Sequence, residues 1–494
     1  MVLNGLGFVN QRLYLVPHFF ANKPVERLLG PGIEAAHLND DVLGRALDQL
    51  YDYGVTALFC QLASQAAQRL GLASRSVHLD STSFHVDGQG YDDYPAPDPA
   101  DPTLIELTHG YSRDHRPDLP QVILELVVEN QAGLPLRLQA ISGNQPDAQT
   151  FGDTVRAHVG QLAASQPFDY LVADAAFYNE GTLQAVAGAP WRWVSRVPAT
   201  LSAAKTLLNP RSLTDLTELA PGYRYVEVGA WYADVPQRWL LIHSEAAAQR
   251  ARHTVAKQAQ RASERELCAF LRLTRQEFAC AEDALAAGRA FANTLQSSTL
   301  SELAVERQAR YEQPGRPAQD AQPSAVHYRL TAAIASSLLV RDDLWHKKSC
   351  FILATNQLDE QALPPAQILA TYKSQDRVER GFRFLKDPQF LASALFLKSP
   401  ARLMALLMVM TLCLLVYAAL EFRIRQALQE TAPFFPDQKG KPTLRPSARW
   451  VFHIFVGIHL LTLEAKQQLV LNLRPLHQQL LDLLGDPYLA IYSS

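Results

Sequence analysis

The sequence predicts an α/β protein: a mixed sheet with flanking helices, interrupted by a β-rich and helical insertion domain, with helical N- and C-terminal regions. Three observations predict it. The β-rich runs 77–80, 121–130 and 136–142 follow one another with no helical stretch between them, so they can pair as an antiparallel meander. From 148 to 198 helical and strand patterns alternate, as they do where strands lie parallel beneath helices. Residues 201–345 then change texture before apolar strand and charged helix patterns resume. The division is 1–75, a helical N-terminal region and DNA-binding candidate; 76–200, the first part of the core; 201–345, the insertion; 346–430, the second part of the core; and 431–494, a C-terminal helical region.

Each element has a local reason. Asn39 followed by Asp40 and Asp41 reads as a helix cap with acids in the first turn, and Val42, Leu43, Ala46, Leu47, Leu50 and Tyr51 recur at helical spacing until Gly54. A second stretch, Leu58, Phe59, Leu62, Ala66 and Leu70, closes at Gly71; two short helices with a tight joint fit either packing or a DNA-docking unit. VHLD (77–80) reads as a short strand ending on Asp80, and the Pro-rich acidic stretch 87–102 as irregular. After the two meander partners come a helix over 148–164, a strand DYLVADAAF (169–177), a short helix from Asn179 and a strand over 191–198. In the insertion, 223–244 reads as two strands with a turn, 245–296 as helical and 326–335 as strand. The run FILATN (351–356) leads to a helix start near Pro364, a charged helix over 366–386, the apolar stretch 403–420 and an amphipathic stretch from Leu460 to Leu484.

Composition narrows the function. Lys and Arg number 46 against 49 Asp and Glu, a net charge of −3, with 48% hydrophobic and 19% charged residues. That supplies a large core and excludes a disordered chain or a bulk polycation, so any nucleic acid must be gripped by local basic patches. One such stripe is Arg250, Arg252, Lys257, Arg261, Arg265, Arg272 and Arg275, facing only Glu264 and Glu266; a solvated helix face reads equally well there. Cys60, Cys268, Cys280, Cys350 and Cys413 are scattered, without the C-x-x-C spacing of a zinc site or redox pair, which fits a reducing, cytoplasmic setting. The N-terminus lacks the basic leader and apolar run of a signal peptide. Leu403 to Leu420 runs without a charge, near the length that crosses a bilayer, but Arg402, Glu421, Arg423 and Arg425 press against its ends and no second run exists, so a buried core helix is expected and a membrane anchor is the rival.

Phosphodiester chemistry with divalent metals needs hard carboxylate ligands from separate segments converging on one site. Three acids suit it. Asp80 ends an apolar run, Asp174 interrupts an apolar strand where an unpaired charge is costly, and Glu379 lies on a helix crowded by Arg377, Arg380, Arg383 and Lys386 with Phe382 and Phe384 between them. Taken singly each has an ordinary reading, as a turn former, a paired acid or a solvated helix acid. In a three-strand meander with two further strands the first and fourth can be neighbours, so Asp80 and Asp174 can meet.

Here the residues match a known pattern. Tyr372, Glu379 and Lys386 fall on the spacing Tyr–x2–Arg–x3–Glu–x6–Lys, with Gln375 in the Arg position. Together with HLDSTSFHVDG (78–88), HGYSRDHRPDLPQVILELV (109–127), ISGNQPDAQTF (141–151) and VADAAFYNEGT (172–182), this resembles the bacterial insertion-sequence DDE transposases of the insertion-sequence-four superfamily, over nearly the whole chain. The Gln375 departure looks like a branch that carries Gln there. The resemblance implies an RNase H-like catalytic core with an insertion between the second Asp and the Glu, and a metal-binding triad of Asp80, Asp174 and Glu379 holding two Mg²⁺ ions, with Mn²⁺ as a substitute. It implies DNA contacts from Tyr372 and Lys386; Arg377, Arg380 and Arg383, cations interleaved with rings on the same helical segment, suit phosphate contact by their own setting, and Gln375 is grouped with them as DNA-binding. The implied partners are the transposon terminal inverted repeats and target DNA, handled by a homodimer at the nucleoid in the cytoplasm. The branch carries more residues ahead of the VLNGLGF stretch, which leaves Met1 open as an internal start. Two rival functions are a non-catalytic DNA-binding remnant and an RNase H-like nuclease without strand transfer.

Overall fold

The structure, a computed structural model, describes residues 15–85, 104–112, 115–208, 216–312, 322–386, 399–431, 435–463 and 468–493. The irregular stretch 87–102 and the VLNGLGF stretch lie outside the described residues. Two compact units emerge: one of Met1–Ser195, Trp231–Pro236 and Thr355–Ser494, the other of Arg196–Ala230 and Gln237–Ala354.

In the first unit two short helices, Val16–Phe20 and Val25–Leu29, precede α1 (Asp40–Tyr53) and α2 (Val55–Arg69). Asn39 caps α1 as its sequence implies, its side chain accepting from the Val42 N–H, and Gly54 ends it at a φ of 98°. The buried stripe of α2 is Val55, Phe59, Ala63 and Ala67, not Leu58 and Leu62; Leu62 faces solvent. Alanines on that stripe let α2 lie close on its neighbours.

Then follow β1 (Ser76–His85), β2 (Gln121–Glu129) and β3 (Pro135–Ser142), an antiparallel meander with Asp80 opposite Leu126. β1 is longer than its apolar run suggested, and Asp80 sits in mid-strand. The next helix is α3 (Asp147–Thr154), which continues through a π-helical turn at Val155–Val159 into α4 (Gly160–Ser165). β4 (Tyr170–Ala173) runs parallel to β1, then α5 (Glu180–Ala185), capped by Asn179, leads to β5 (Arg192–Arg196), parallel to β4. The order is β3-β2-β1-β4-β5, a mixed sheet of the kind implied for an RNase H-like core, with the first and fourth strands adjacent. β1 to β4 are buried on both faces and form the centre of the unit.

The second unit begins with α6 (Ser202–Leu207) and contains the sheet β11-β8-β7-β6, with β6 (Thr217–Ala220), β7 (Tyr223–Tyr232), β8 (Val235–Ser244) and β11 (Cys350–Thr355). The helical stretch expected over 245–296 is two helices, α7 (Glu245–Leu273) and α8 (Ala281–Ala292). A long ribbon of β9 (Ser298–Arg310) and β10 (Ala325–Ser336) follows, then α9 (Leu338–Ser349), which packs on the Ala248, Ala251, Val255 and Ala259 stripe of α7. Among the basic residues of α7, Arg252 stacks over the Trp345 ring at 5.6 Å, while Arg250, Lys257, Arg261 and Arg265 are solvated.

The chain then returns to the first unit. The helix expected over 366–386 breaks at Ser374–Gln375 into α10 (Pro365–Lys373) and α11 (Asp376–Leu385). The apolar stretch lies within α12 (Pro400–Thr431), long and apolar enough to cross a membrane, with a mean hydropathy of 2.6 over its most apolar window. Two thirds of that window is buried, against α1, α2, β3, α11 and the C-terminal helices, so it is a core helix of this unit. The C-terminal region departs from its helical expectation. After α13 (Ala448–Ile454), β12 (His459–Thr462) and β13 (Gln468–Leu471) form an antiparallel hairpin, and α14 (Pro475–Leu484) and α15 (Asp486–Ile491) follow. Leu461 and Leu463, like Leu469 and Leu471, are spaced by two, the period of a strand.

Candidate active site

Register decides which side chains share a face. β1 pairs with β2 without a bulge from Val77 to His85, so its even-numbered residues His78, Asp80, Thr82 and Phe84 point to one side of the sheet. Two contacts put the α10–α11 segment on that side: Ser374 Oγ lies 3.1 Å from His78 Nε2, and Lys386 Nζ sits 5.7 Å from the Phe84 ring centre. Asp80 on the strand and Glu379 on the helix both lie between these contacts.

Asp174 enters from the neighbouring strand. Leu79 pairs with Ala173, so Asp80 and Asp174 are the next residues along two adjacent parallel strands. Asp174 is not inside its strand as expected but just past its end, half-exposed, where β4 turns. There Asp174 Oδ1 accepts from the Ala176 N–H at 2.9 Å and its carbonyl accepts from Ser195 Oγ at 2.9 Å. The polar turn removes the burial cost that a mid-strand carboxylate would carry. Asp80 itself is buried, with Oδ1 accepting from the Ser81 N–H at 2.8 Å.

Glu379 is exposed, at the margin of α11. At 100° per residue, Gln375, Glu379 and Lys386 share one stripe beside the buried Val378, Phe382 and Leu385. Gln375 is buried at the break between the helices, and Tyr372 is half-buried on the last turn of α10. Among the described residues no group of three His, Cys, Asp or Glu side chains is gathered closely enough to hold a metal ion. The arrangement therefore gives two acids at neighbouring strand positions and a third on the helix packed over the same strand face, without a closed three-ligand cluster. The donors are all carboxylate oxygens, the hard ligands that Mg²⁺ and Mn²⁺ take.

His78 was not singled out by sequence, although it stands in the HLDSTS motif. Its imidazole is buried, and burial first, then the charge of Arg377, holds it down to about 3, so it is neutral near pH 7. Nδ1 has no hydrogen-bond partner among the described residues. With Nε2 against Ser374 it joins the strand to the break between α10 and α11, and a His alternating with buried apolar residues was the signal available in the sequence.

The helix also separates the basic residues that the sequence grouped together. Lys386 lies on the Glu379 stripe, whereas Arg377, Arg380 and Phe384 share a stripe on the other flank of the buried one. The Arg377 guanidinium donates to the Gln131 carbonyl at the turn between β2 and β3.

A family model described as a transposase DDE domain matches residues 74–416, and one described as a domain of unknown function, DUF4277, matches residues 1–64. No curated protein matches the chain. Among solved structures it is similar to a Mos1 transposase paired-end complex with the left transposon end, at 13% identity over 27% of this chain, with a TM-score of 0.17. The chain spans 39% of the length of that protein, and a superposition so slight carries no weight here.

Proposed function

The chain belongs to the transposase DDE domain family, and from that premise we propose that it is a polynucleotidyl transferase that cleaves transposon ends and joins them to target DNA. The observation that carries this reading is the placement of Asp80, Asp174 and Glu379: Asp80 within β1 and Asp174 just past the end of its parallel neighbour β4, each following the Leu79–Ala173 pair, with the third acid on the helix laid over the Asp80 face. In this reading the three carboxylates are the ligands of two divalent ions, Mg²⁺ or Mn²⁺, which when bound stabilise the attacking and leaving oxygens of an in-line displacement. Asp80, held in a buried strand, supplies the rigid ligand, and Asp174, at the strand end, is open to substrate. Glu379, exposed on α11, would complete the ligand set from the helix. Lys386 and Tyr372 flank Glu379 and contact the backbone near the scissile phosphate, and Gln375, buried at the helix break, acts by holding that segment. The finer placement in the insertion-sequence-four superfamily rests on the Tyr372, Glu379 and Lys386 spacing. With it go a homodimer holding two ends and work at the nucleoid in the cytoplasm.

The test is a labelled duplex carrying the terminal inverted repeats, incubated with the full chain in Mg²⁺. Cleavage followed by joining to a second duplex is expected, with Asp80→Asn, Asp174→Asn and Glu379→Gln each abolishing both. Undiminished cleavage by any of the three variants overturns the reading, and cleavage without joining reduces it to a nuclease.

A further inference from the structure

A cleft of about 990 Å³ opens in the first unit on the flank of α11 away from Glu379. It is bounded by the turn between β2 and β3, by α11, by the second half of α12 and by the segment leading into α13. Six arginines line it: Arg377, Arg380 and Arg383 from α11, Arg425 from α12, and Arg445 and Arg449 from the C-terminal segment. Only two acids, Glu421 and Glu430, line it with them, in a chain whose net charge is −3. Glu421 is already engaged, with Arg425 at 2.5 Å and with the Ala448 N–H at 3.0 Å.

The guanidiniums crowd one another. Burial does most to hold Arg425 below its ordinary range; Glu421 opposes this, and the charges of Arg380 and Arg445 add to the lowering. Arg377 is lowered in the same way, by burial first, with Arg380 and Arg425 contributing after the opposing pull of Glu129. Arg380, Arg383, Arg445 and Arg449 are exposed, Arg380 with an ion pair of 3.5 Å to Asp376 on its own helix. The Phe384 and Tyr417 rings, 4.6 Å apart, form an apolar wall between the two arginine banks. Cations on both sides of an aromatic wall suit a polyanion with flat apolar groups between its charges.

We propose that this cleft binds the sugar–phosphate backbone of DNA as a second track, distinct from the acid-bearing face of α11, so that one helix grips the duplex on one flank while presenting Glu379 on the other. The proposal deepens the reading of the chain as a transposase but does not depend on catalysis. Arg377 and Arg380 act in this track and not at the scissile phosphate, Arg383 reaches its rim from one turn beyond Glu379, and the C-terminal segment contributes Arg445 and Arg449.

The experiment measures binding of the full chain to a fluorescent duplex of unrelated sequence, in EDTA, by anisotropy across a salt series. Arg380→Ala/Arg445→Ala/Arg449→Ala removes three exposed charges from the cleft, and a matched triple in the second unit, Arg289→Ala/Arg307→Ala/Lys347→Ala, removes three exposed charges elsewhere. The cleft triple is expected to weaken binding at least about tenfold near physiological salt and to make the log–log salt slope shallower by about 2 to 3. The matched triple changes either quantity far less, and the corresponding Arg→Lys triple restores most of the slope. Equal effects of the two Ala triples, no duplex binding by the parent chain, or cleft-dependent binding of phosphatidylglycerol vesicles without duplex binding would each overturn the proposal. Cleft-dependent binding by a chain that never cleaves terminal-repeat DNA supports the cleft while refuting the catalytic reading.

Discussion

β1 and β9 are both polar strands, and they spend their polarity in opposite ways. β9, STLSELAVERQAR, is half open to water, so Glu302, Glu306 and Arg307 are solvated and cost nothing. β1, SVHLDSTSFH, is buried nearly throughout, and it takes His78, Asp80, Ser81, Thr82 and Ser83 out of water with it. Buried polar groups are destabilising unless bonded. A strand that buries Ser76 as well, and keeps His78, Asp80 and Thr82 on the face beneath a helix carrying Glu379 and Lys386, is held for something other than stability. The contrast teaches that polarity is informative only together with burial. The β9–β10 ribbon is a surface element, and β1 is the floor of the candidate site.

The sharpest way to break that contrast is to neutralise one acid on each strand. Asp80→Asn is expected to lower cleavage of terminal-repeat DNA at least about a thousandfold, since a metal-ligating acid acts as part of a unit. Glu306→Gln on β9 should leave the rate within about twofold. Comparable losses from both would mean that burial does not mark the functional strand. A packing pair comes next. Leu79 is fully buried on β1 and Val305 half-buried on β9. Leu79→Ala should cost about 2–5 kcal/mol in urea unfolding, and Val305→Ala less than about 1 kcal/mol.

The third test uses pH. His78 is held down to about 3, against an ordinary value near 6.5. Below pH 6.5 the unfolded chain takes up a proton that the folded imidazole refuses, so stability is full above 6.5 and falls as pH drops toward 3. The slope from this one group approaches about 1.4 kcal/mol per pH unit well inside that window. His78→Gln should remove one proton's worth of slope between pH 6 and 4.5, measured by denaturant midpoints; an unchanged slope would mean that the imidazole is not buried as a neutral group.

Much of this was legible in the residues, and the misses share a physical cause. Asn39, Gly54 and Asn179 announce their helix ends because caps and positive φ are local demands. The meander and the neighbouring first and fourth strands followed from the order of β-rich runs. Asp80 and Asp174 do come to neighbouring strands, but each sits differently from its expected place, Asp80 in mid-strand and not at an end, Asp174 past an end and not within. The sequence ended β1 at Asp80 because Ser81, Thr82 and Ser83 look like a turn, and only burial between α11 and the meander makes them strand. The same limit hid β9, whose charged residues give no strand signal of their own and are strand because β10 pairs with them. The break at Ser374–Gln375 was invisible because no Gly or Pro marks it. The hairpin near the C-terminus is different: the leucines at 461, 463, 469 and 471 carry a two-residue period that a longer helical pattern overrode. The arginine cleft could not be read at all, since Arg377 and Arg449 are far apart in sequence and meet only when α12 is folded.

The smallest expected effect tests whether the Glu379 stripe touches DNA separately from the cleft. Lys386 reaches Phe84 at the far end of the β1 face, where an ammonium over a ring is attracted by about 0.5–1 kcal/mol at a partly exposed position. If it also contacts one phosphate, Lys386→Ala should make the salt slope for duplex binding shallower by about 0.9 and weaken every duplex alike. Loss of the ring contact alone would lower thermal stability slightly and leave the slope where it was. The double variant Lys386→Ala/Arg445→Ala separates the two flanks of α11: groups that do not share a phosphate add, so its slope change should equal the sum of the single changes. A shortfall would mean that both residues track the same stretch of backbone, and that the helix has one DNA-facing side.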